Sequence, residues 1–302
     1  GDPLISKQGE IPRISGESCR AKERFPACIA RPLNAPIGKY GTQHRILVLG
    51  DSHALHHAAL AEQLAAKLNV EVAIHAQAGY PFPPNPIVRI STPDVAKQGL
   101  VTQQRAEALI GSYLRSGDVL LVVNSGSYSA DQDKQGKVDG RSGFRYPVRN
   151  WQGDDQSAFL DRLGKGLSRL AAEMNKKGIT VIYFLPNPVF PVTEFSRCNP
   201  QWFQVFNQDP LCSDRIPLAS MELRHQRTLF RTIRGNGYSA STLGQHGSLL
   251  FFDPKVALCR ASSCQRIING QQAYTDGSHL SIHGSKLVAN ELMGFLKRSE
   301  LL

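Results

Sequence analysis

Arg45-Ile-Leu-Val-Leu-Gly-Asp-Ser-His53 is the stretch of this sequence that decides its fold. Residues 45–49 form a short run of branched apolar side chains that ends at Gly50, a pattern typical of a buried parallel β-strand. A helix is predicted to follow, because apolar side chains recur at helical spacing between Ala54 and Leu68. The tight strand-to-helix turn is predicted to expose the hydroxyl group of Ser52.

Four similar runs follow along the chain, and helical patterns separate most of them. The predicted strands span residues 45–49, 70–76, 118–123, 179–185 and 249–252. Residues 157–177 form the clearest helix, with Gly178 as its stop signal, and Ser281 is predicted to cap a last helix that runs through residue 296. Strands that alternate with helices form a parallel sheet covered on both faces. We therefore predict an α/β fold, a three-layer α/β/α sandwich with a roughly five-stranded parallel sheet.

The N-terminal segment differs in composition from the rest of the chain. Residues 1–43 are rich in proline, glycine and charged residues, and we predict a linker-like N-terminal extension there. Residues 44–302 contain all the predicted strands and are predicted to form one domain, which is a common size for a large α/β core. No apolar run approaches the length of a membrane-spanning helix. We therefore expect this part of the protein to be soluble.

The chain is basic, with a formal net charge of +10 at pH 7. Its lysines and arginines recur singly, whereas a nucleic-acid surface needs them clustered in a patch or stripe. We therefore expect no nucleic-acid partner. The sequence shows no heptads and no large apolar helix face, so we expect a monomer.

The cysteines are the next informative feature of the sequence. They fall into three close pairs: Cys19 with Cys28, Cys198 with Cys212, and Cys259 with Cys264. We predict three disulfides in this order, although six cysteines allow about fifteen pairings. A zinc site is the alternative, but the chain has no Cys-x-x-Cys and its spacings are irregular. Because disulfides persist in oxidising compartments, we expect a location such as a periplasm.

Ser52 has candidate partners in a C-terminal segment, Tyr274-Thr-Asp-Gly-Ser-His-Leu-Ser281. A serine hydroxyl is a weak nucleophile unless a base removes its proton. His279 is predicted to be that base, and Asp276 is predicted to orient the imidazole and stabilise the imidazolium. The main-chain N–H of Ser52, at a helix N-terminus, is predicted to bind an oxyanion. These residues predict acyl transfer or ester hydrolysis.

Other polar residues near Ser52 have simpler interpretations. Asp51 is predicted to cap the helix, since acidic residues favour the first helical turn. His53 and His57 share a helix face and suggest zinc, but the chain lacks the Glu of an HExxH arrangement there. We therefore expect no metal and no cofactor. Gly-Asp-Ser alone is also a common turn sequence, so the prediction of a nucleophile depends on the C-terminal partner segment.

Gly-Asp-Ser at 50–52 followed by Asp-x-x-His at 276–279 resembles the SGNH, or GDSL-type, hydrolase family. His53 in place of leucine, the segment 274–281 and the adjacent cysteine loop 259–264 resemble a narrower group. These are the periplasmic SGNH domains fused to membrane acyltransferase-3 domains in bacterial polysaccharide and O-antigen O-acetyltransferases. The resemblance covers both ends of the domain and is weaker in its middle.

The resemblance implies a flavodoxin-like SGNH fold, with residues 44–302 as the catalytic domain. It also implies two further oxyanion donors, Gly79 after the second strand and Asn124 after the third. The sequence departs from the family pattern at both of these positions. Asn124 begins Asn-Ser-Gly-Ser where family hydrolases have Gly-x-Asn-Asp, and Gly79 is followed by a proline-rich loop.

The activity implied by the resemblance is O-acetyl transfer. Ser52 would carry the acetyl group to a sugar hydroxyl of an envelope glycan, and a membrane acyltransferase-3 domain of the same full-length chain would supply it. The nearest alternative is a secreted carbohydrate acetylesterase with the same three residues, in which water takes the acyl group. An alternative from another class is a glycan-binding module with a decayed site, which the intact Ser52, Asp276 and His279 disfavour.

Overall fold

A computed structural model describes the parts of the chain that form the sheet and the site. It covers residues 13–14, 17–18, 28–32, 44–77, 80–84, 93–125, 153–190, 213–217, 231, 234–235 and 249–302. For residues 13–14, 17–18, 93–100, 102 and 153–160 only the main chain is described. Four residues with predicted roles lie outside the described residues: Cys19, Gly79, Cys198 and Cys212.

Strands occur along the whole described chain, and six of them form the central sheet. The strands are β1 (Arg13–Ile14), β2 (Glu17–Ser18), β3 (Cys28–Ala30), β4 (Arg45–Gly50), β5 (Glu71–Ala76), β6 (Val119–Val123), β7 (Thr180–Phe184), β8 (Arg215–Pro217), β9 (Leu249–Phe252), β10 (Cys259–Arg260), β11 (Ser263–Gln265), β12 (Ile267–Ile268) and β13 (Gln271–Gln272). The order in the central sheet is β3-β5-β4-β6-β7-β9. Strands β5, β4, β6, β7 and β9 are parallel, which confirms the predicted parallel sheet.

The edge strand β3 was not predicted. It pairs antiparallel with β5, with Ile29 opposite Ala73 in the register. It belongs to the segment 1–43, which was predicted to be a linker-like extension, so part of that segment completes the sheet. The division of the chain at residue 44 stays a prediction for the rest of the segment.

The central strands are apolar on both faces, as parallel sheets require. In β4, Ile46 and Val48 pack into the core on one face of the sheet, and Leu47 and Leu49 pack into the core on the other. All four side chains have 0% exposure. Burial on both sides explains why this stretch reads as a continuous apolar run rather than as an alternating pattern.

Helices cover both faces of the sheet. They are α1 (Ser52–Leu55), α2 (Ala58–Leu68), α3 (Pro93–Tyr113), α4 (Gly153–Lys176), α5 (Lys255–Leu258) and α6 (Ile282–Arg298). Side chains of α1, α2 and α6 belong to one core, and side chains of α3 and α4 belong to the other. The three-layer sandwich is therefore confirmed. Within the described ranges, no helix combines the length and the apolar character needed to cross a membrane.

Two predicted helix ends are confirmed by their hydrogen bonds. Beyond α4, Gly178 has a φ of +69°, which glycine adopts without strain, and its N–H donates to Asn175 O at 2.9 Å. At the start of α6, Ser281 Oγ accepts a hydrogen bond from the N–H of Gly284 at 3.1 Å. These local signals were readable because each end depends on residues adjacent in the chain.

One of the predicted disulfides lies wholly within the described residues. Cys259 and Cys264 are bonded across the paired strands β10 and β11. Cys28 is also in a disulfide. The pairing of Cys19 with Cys28, and that of Cys198 with Cys212, therefore stay predictions.

Gly50, the last residue of β4, lies against the end of β6. A Cβ atom at this position would meet the carbonyl oxygen of Val123 at 1.7 Å, and the φ of Gly50 is +155°. The next N–H, of Asp51, donates to the same oxygen at 3.3 Å, and Gly50 O accepts from Gln77 N at 3.2 Å. The turn that follows β4 is therefore held between the ends of both neighbouring strands.

We predict that Gly50→Ala destabilises the protein by about 3 kcal/mol, the upper end of the range for overpacked cores. The added methyl group would overlap a main-chain oxygen that cannot move without breaking the sheet. Urea denaturation followed by circular dichroism measures the change. Gly111→Ala is the matched control, because no heavy atom lies within 4 Å of its added Cβ and alanine favours the helix by up to about 1 kcal/mol. Equal stability of the two variants would contradict the prediction.

Candidate active site

Asp51 fixes the turn that presents Ser52. Its side chain is fully buried, and its Oδ1 accepts a hydrogen bond from the N–H of His53 at 2.9 Å, which caps α1. Its Oδ2 accepts from the N–H of Ser125 at 2.8 Å, just beyond β6. A buried carboxylate is stable only when hydrogen bonds replace its water. The predicted capping role of Asp51 is confirmed, and the second bond to Ser125 anchors the turn to the sheet.

The structure brings Ser52, His279 and Asp276 into one hydrogen-bonded chain. Ser52 Oγ lies 2.9 Å from His279 Nε2, although 227 residues separate them in sequence. His279 Nδ1 lies 2.7 Å from Asp276 Oδ2. Because an ionised carboxylate only accepts hydrogen bonds, Nδ1 carries the imidazole hydrogen and Nε2 keeps the lone pair that faces Ser52. The arrangement can remove the proton of Ser52 Oγ and support the imidazolium that forms.

The carboxylate of Asp276 is prepared for this role by its own loop. Its Oδ1 accepts hydrogen bonds from the main-chain N–H groups of Ser278 and His279, both at 2.8 Å. Burial works against the ionised form, but the hydrogen bonds and charge of His279, with the N–H of Ser278, hold the pKa of Asp276 well below its ordinary value. Asp276 is therefore ionised wherever His279 is to act as a base.

The loop that carries Asp276 and His279 is closed by main-chain contacts. Thr275 N donates to His279 O at 2.9 Å, and Tyr274 and Leu280 form an isolated antiparallel bridge at its base. Phe190, after β7, donates its N–H to Gly277 O at 2.7 Å, at the tip of the loop. These contacts hold the imidazole and the carboxylate on a rigid support, which catalysis by fixed groups requires.

The structure describes two of the three predicted oxyanion donors, Ser52 and Asn124. Ser52 N–H is at the first position of α1, where a helix leaves its N–H groups without partners inside the helix. Gly79 lies outside the described residues. Asn124 is buried, and its amide pairs with the main chain of Phe82: Oδ1 accepts from Phe82 N at 3.0 Å and Nδ2 donates to Phe82 O at 2.8 Å.

The Asn124 side chain also interacts with Tyr183. Burial raises the pKa of the Tyr183 hydroxyl, and a hydrogen bond from the Asn124 side chain acts in the opposite direction. In this structure Asn124 therefore holds the segment 80–84 and Tyr183, and its donation to an oxyanion stays a prediction.

Three histidines of the α1 region surround the site on one side. The ring of His56 stacks on that of His279 with centroids 4.3 Å apart, and the tilted ring of His53 lies 4.5 Å from it. His57 points away from the base and packs edge-on against Phe184 at 5.5 Å. Burial lowers the pKa of His57 to about 3, so this ring is neutral and serves packing. Within the described ranges, no three His, Cys, Asp or Glu side chains are grouped as metal ligands.

The sequence patterns missed three features of this site. They did not predict the contact of Asn124 with Phe82, the bond from Ser125 to Asp51, or the stacking of His56. Only His56 had a signal in the sequence, because a residue four positions after Ser52 on a helix shares its face. The other two join strand ends that are separated in sequence and adjacent only in the sheet.

Comparisons with known proteins identify the family of the chain. A family model described as an SGNH domain fused to AT3 domains matches residues 18–294. No curated protein sequence matched the chain. Among solved structures, the chain is similar to Axe2, an acetylxylan esterase from Geobacillus stearothermophilus, with 13% identity and a TM-score of 0.42, over 85% of this chain and 95% of that one. Because the family model spans most of the sequence, the chain belongs to the SGNH family, in the group whose domains are fused to AT3 domains.

Proposed function

We propose that this domain transfers an acetyl group to a sugar hydroxyl of a cell-envelope polysaccharide through an acyl-Ser52 intermediate. The observation that carries the proposal is the hydrogen-bonded chain Asp276–His279–Ser52 at the carboxyl edge of the sheet. Membership of the SGNH family supports acyl transfer or hydrolysis in general. The fusion of family members to AT3 membrane domains supports transfer, since such a domain can serve as a dedicated acyl donor.

The first half of the reaction loads Ser52. His279 Nε2 takes the proton of Ser52 Oγ as that oxygen attacks the donor's acyl carbon, and Asp276 stabilises the imidazolium. The tetrahedral oxyanion accepts a hydrogen bond from Ser52 N–H. Its collapse breaks the bond to the donor's leaving group, which takes the proton from His279. The products of this half are acyl-Ser52 and the protonated leaving group.

The second half unloads Ser52 by the same groups. His279 Nε2 takes the proton of a sugar hydroxyl, whose oxygen attacks the acyl carbon of acyl-Ser52. The second tetrahedral intermediate collapses to the sugar ester and Ser52, which recovers its proton from His279. Gly79 and Asn124 belong to the proposal as further oxyanion donors.

The setting of the reaction is part of the same proposal. The disulfide between Cys259 and Cys264 supports an oxidising compartment such as the periplasm. We propose an envelope glycan as acceptor, an AT3 membrane domain on the same full-length chain as donor, and a monomeric catalytic domain that needs no cofactor.

Ser52→Ala is the direct test of the nucleophile. We expect acetylation of envelope glycan, measured by mass spectrometry of glycan from cells, to fall by about 10³-fold or more, because no other group can form the acyl intermediate. A fluorophosphonate probe should label the parent protein and leave the variant unlabelled. Ser112→Ala is the matched control, since Ser112 is an exposed serine that only bonds to Ala108 O in its own helix. Unchanged glycan acetylation by Ser52→Ala would refute the mechanism.

Asp276→Asn should lower kcat by about 10⁴-fold with p-nitrophenyl acetate as acyl donor. The asparagine would keep Oδ1 against the N–H groups of Ser278 and His279 and turn its NH₂ towards His279 Nδ1. The imidazole would then carry its hydrogen on Nε2, which cannot accept the proton of Ser52. Asp161→Asn, a change in a surface ion pair with Lys165, should leave kcat unaltered. A comparable kcat for the two variants would contradict the assignment of Asp276.

The depressed pKa of Asp276 also predicts how stability depends on pH. The ionised carboxylate stabilises the folded state fully above the unfolded-state pKa of about 3.9, and this contribution is lost as pH falls towards the lower folded-state pKa. The difference in unfolding free energy between the parent and Asp276→Asn should therefore narrow as the pH falls below about 4. Urea denaturation at several pH values measures it, and a difference that did not narrow below about pH 4 would contradict the prediction.

Transfer and hydrolysis are separated by the fate of the acyl group. We expect the purified domain, given p-nitrophenyl acetate and an oligosaccharide, to form acetylated sugar faster than free acetate. Transfer requires the sugar hydroxyl to outcompete water for acyl-Ser52. Mass spectrometry of the sugar and an assay of acetate measure the two products. Acetate alone, at every acceptor concentration, would favour the carbohydrate esterase alternative.

A further inference from the structure

His56 contacts the loop of the base in two separate ways. Its ring stacks on that of His279, with 4.3 Å between centroids and 29° between planes. Its Nδ1 lies 3.1 Å from the carbonyl oxygen of Leu280, the residue after the base. A carbonyl only accepts hydrogen bonds, so Nδ1 of His56 carries a hydrogen and donates it. The segment that presents Ser52 is thereby joined to the loop that presents His279.

The two hydrogen bonds of His279 leave one motion of its ring weakly restrained. The N–H at Nδ1 and the lone pair at Nε2 point in the plane of the imidazole ring, one towards Asp276 and one towards Ser52. In-plane bonds set where the two nitrogens point, but they resist a tilt of the ring out of that plane only weakly, because hydrogen-bond strength changes slowly for small angular deviations. A flat group packed on the ring face opposes that tilt directly, and His56 is such a group.

His53 also contacts His279, and it does not compete with His279 for the proton of Ser52. It is buried, and its ring lies 4.5 Å from that of His279. Burial, and then the nearby charges of His279 and His56, lower the pKa of His53 well below the ordinary value for histidine. Asp276 is bonded to His279 and not to His53. His279, and not His53, is therefore the group that receives the proton of Ser52.

We propose that His56 is a positioning residue for the base: its stacked ring holds the His279 imidazole in the plane that connects Asp276 with Ser52. This inference rests on the proposed role of His279 as the base. It assigns a role to the stack itself, distinct from the hydrogen bond that His56 donates to Leu280. The two contacts can be removed one at a time.

Two substitutions separate the contacts. His56→Phe keeps a flat ring against His279 and loses the hydrogen bond to Leu280 O. His56→Asn loses the ring, while its side-chain amide nitrogen takes the place of Nδ1 and keeps a donor for Leu280 O. His283→Ala is the control, because the ring of His283 bonds to Ile268 O, outside the loop 274–280 that carries the base. Thermal melts establish that each variant is folded.

The measurements are kcat and KM with p-nitrophenyl acetate, and the second-order rate of Ser52 labelling by a fluorophosphonate. We expect His56→Asn to lower kcat and the labelling rate by about 10- to 100-fold, the scale of a misplaced catalytic group, with KM little changed. His56→Phe should remain within about 3-fold of the parent, a small loss for a retained geometry. His283→Ala should match the parent.

The outcomes that overturn the inference differ from those that overturn the proposed function. Parent-like rates for His56→Asn, or equal losses for His56→Asn and His56→Phe, would show that the stack does not position the base. A parent protein whose Ser52 is not labelled, and whose turnover survives Ser52→Ala, would instead refute the nucleophile itself. Loss in His56→Asn with recovery in His56→Phe supports the inference.

Discussion

At Gly50 the main chain of β4 runs so close to Val123 O that no side chain fits between them. This contact brings the end of β4 against the end of β6, and the buried carboxylate of Asp51 then bonds to main-chain N–H groups on both sides of the turn. Ser52 follows at once, on the first turn of α1. The position of the nucleophile is therefore set by main-chain packing within the sheet, before any other residue of the site is considered.

The base reaches Ser52 because helix α6 packs against helix α2. Helix α6 lies beside α2, where Ser285 Oγ accepts a hydrogen bond from Leu60 N at 3.0 Å. Gly284 lets the start of α6 lie against Ala273, since a Cβ there would meet Ala273 O at 2.0 Å. This packing places the loop 274–280 over α1. The close contact of α6 with α2 thus brings Asp276 and His279 to Ser52, which is distant from them in sequence.

The polar residues at the site have two kinds of role. Ser52, His279 and Asp276 form the chain along which a proton can move, and His56 stacks on the base from outside that chain. Asn124 holds the segment 80–84 through paired bonds to Phe82, so it shapes the wall beside the turn in this structure. Such supporting contacts matter because small displacements of fixed groups reduce catalysis strongly.

The sequence by itself determined the parallel strands, the helix ends at Gly178 and Ser281, the capping role of Asp51 and the pairing of Cys259 with Cys264. Each of these depends on residues close together in the chain, whose periodicity and chemistry are read directly. Only the tertiary structure decided that Cys28–Ala30 joins the sheet, that Asn124 bonds to Phe82 and that His56 stacks on His279. Those features depend on distances between segments far apart in sequence, and such distances follow from how the strands and helices pack.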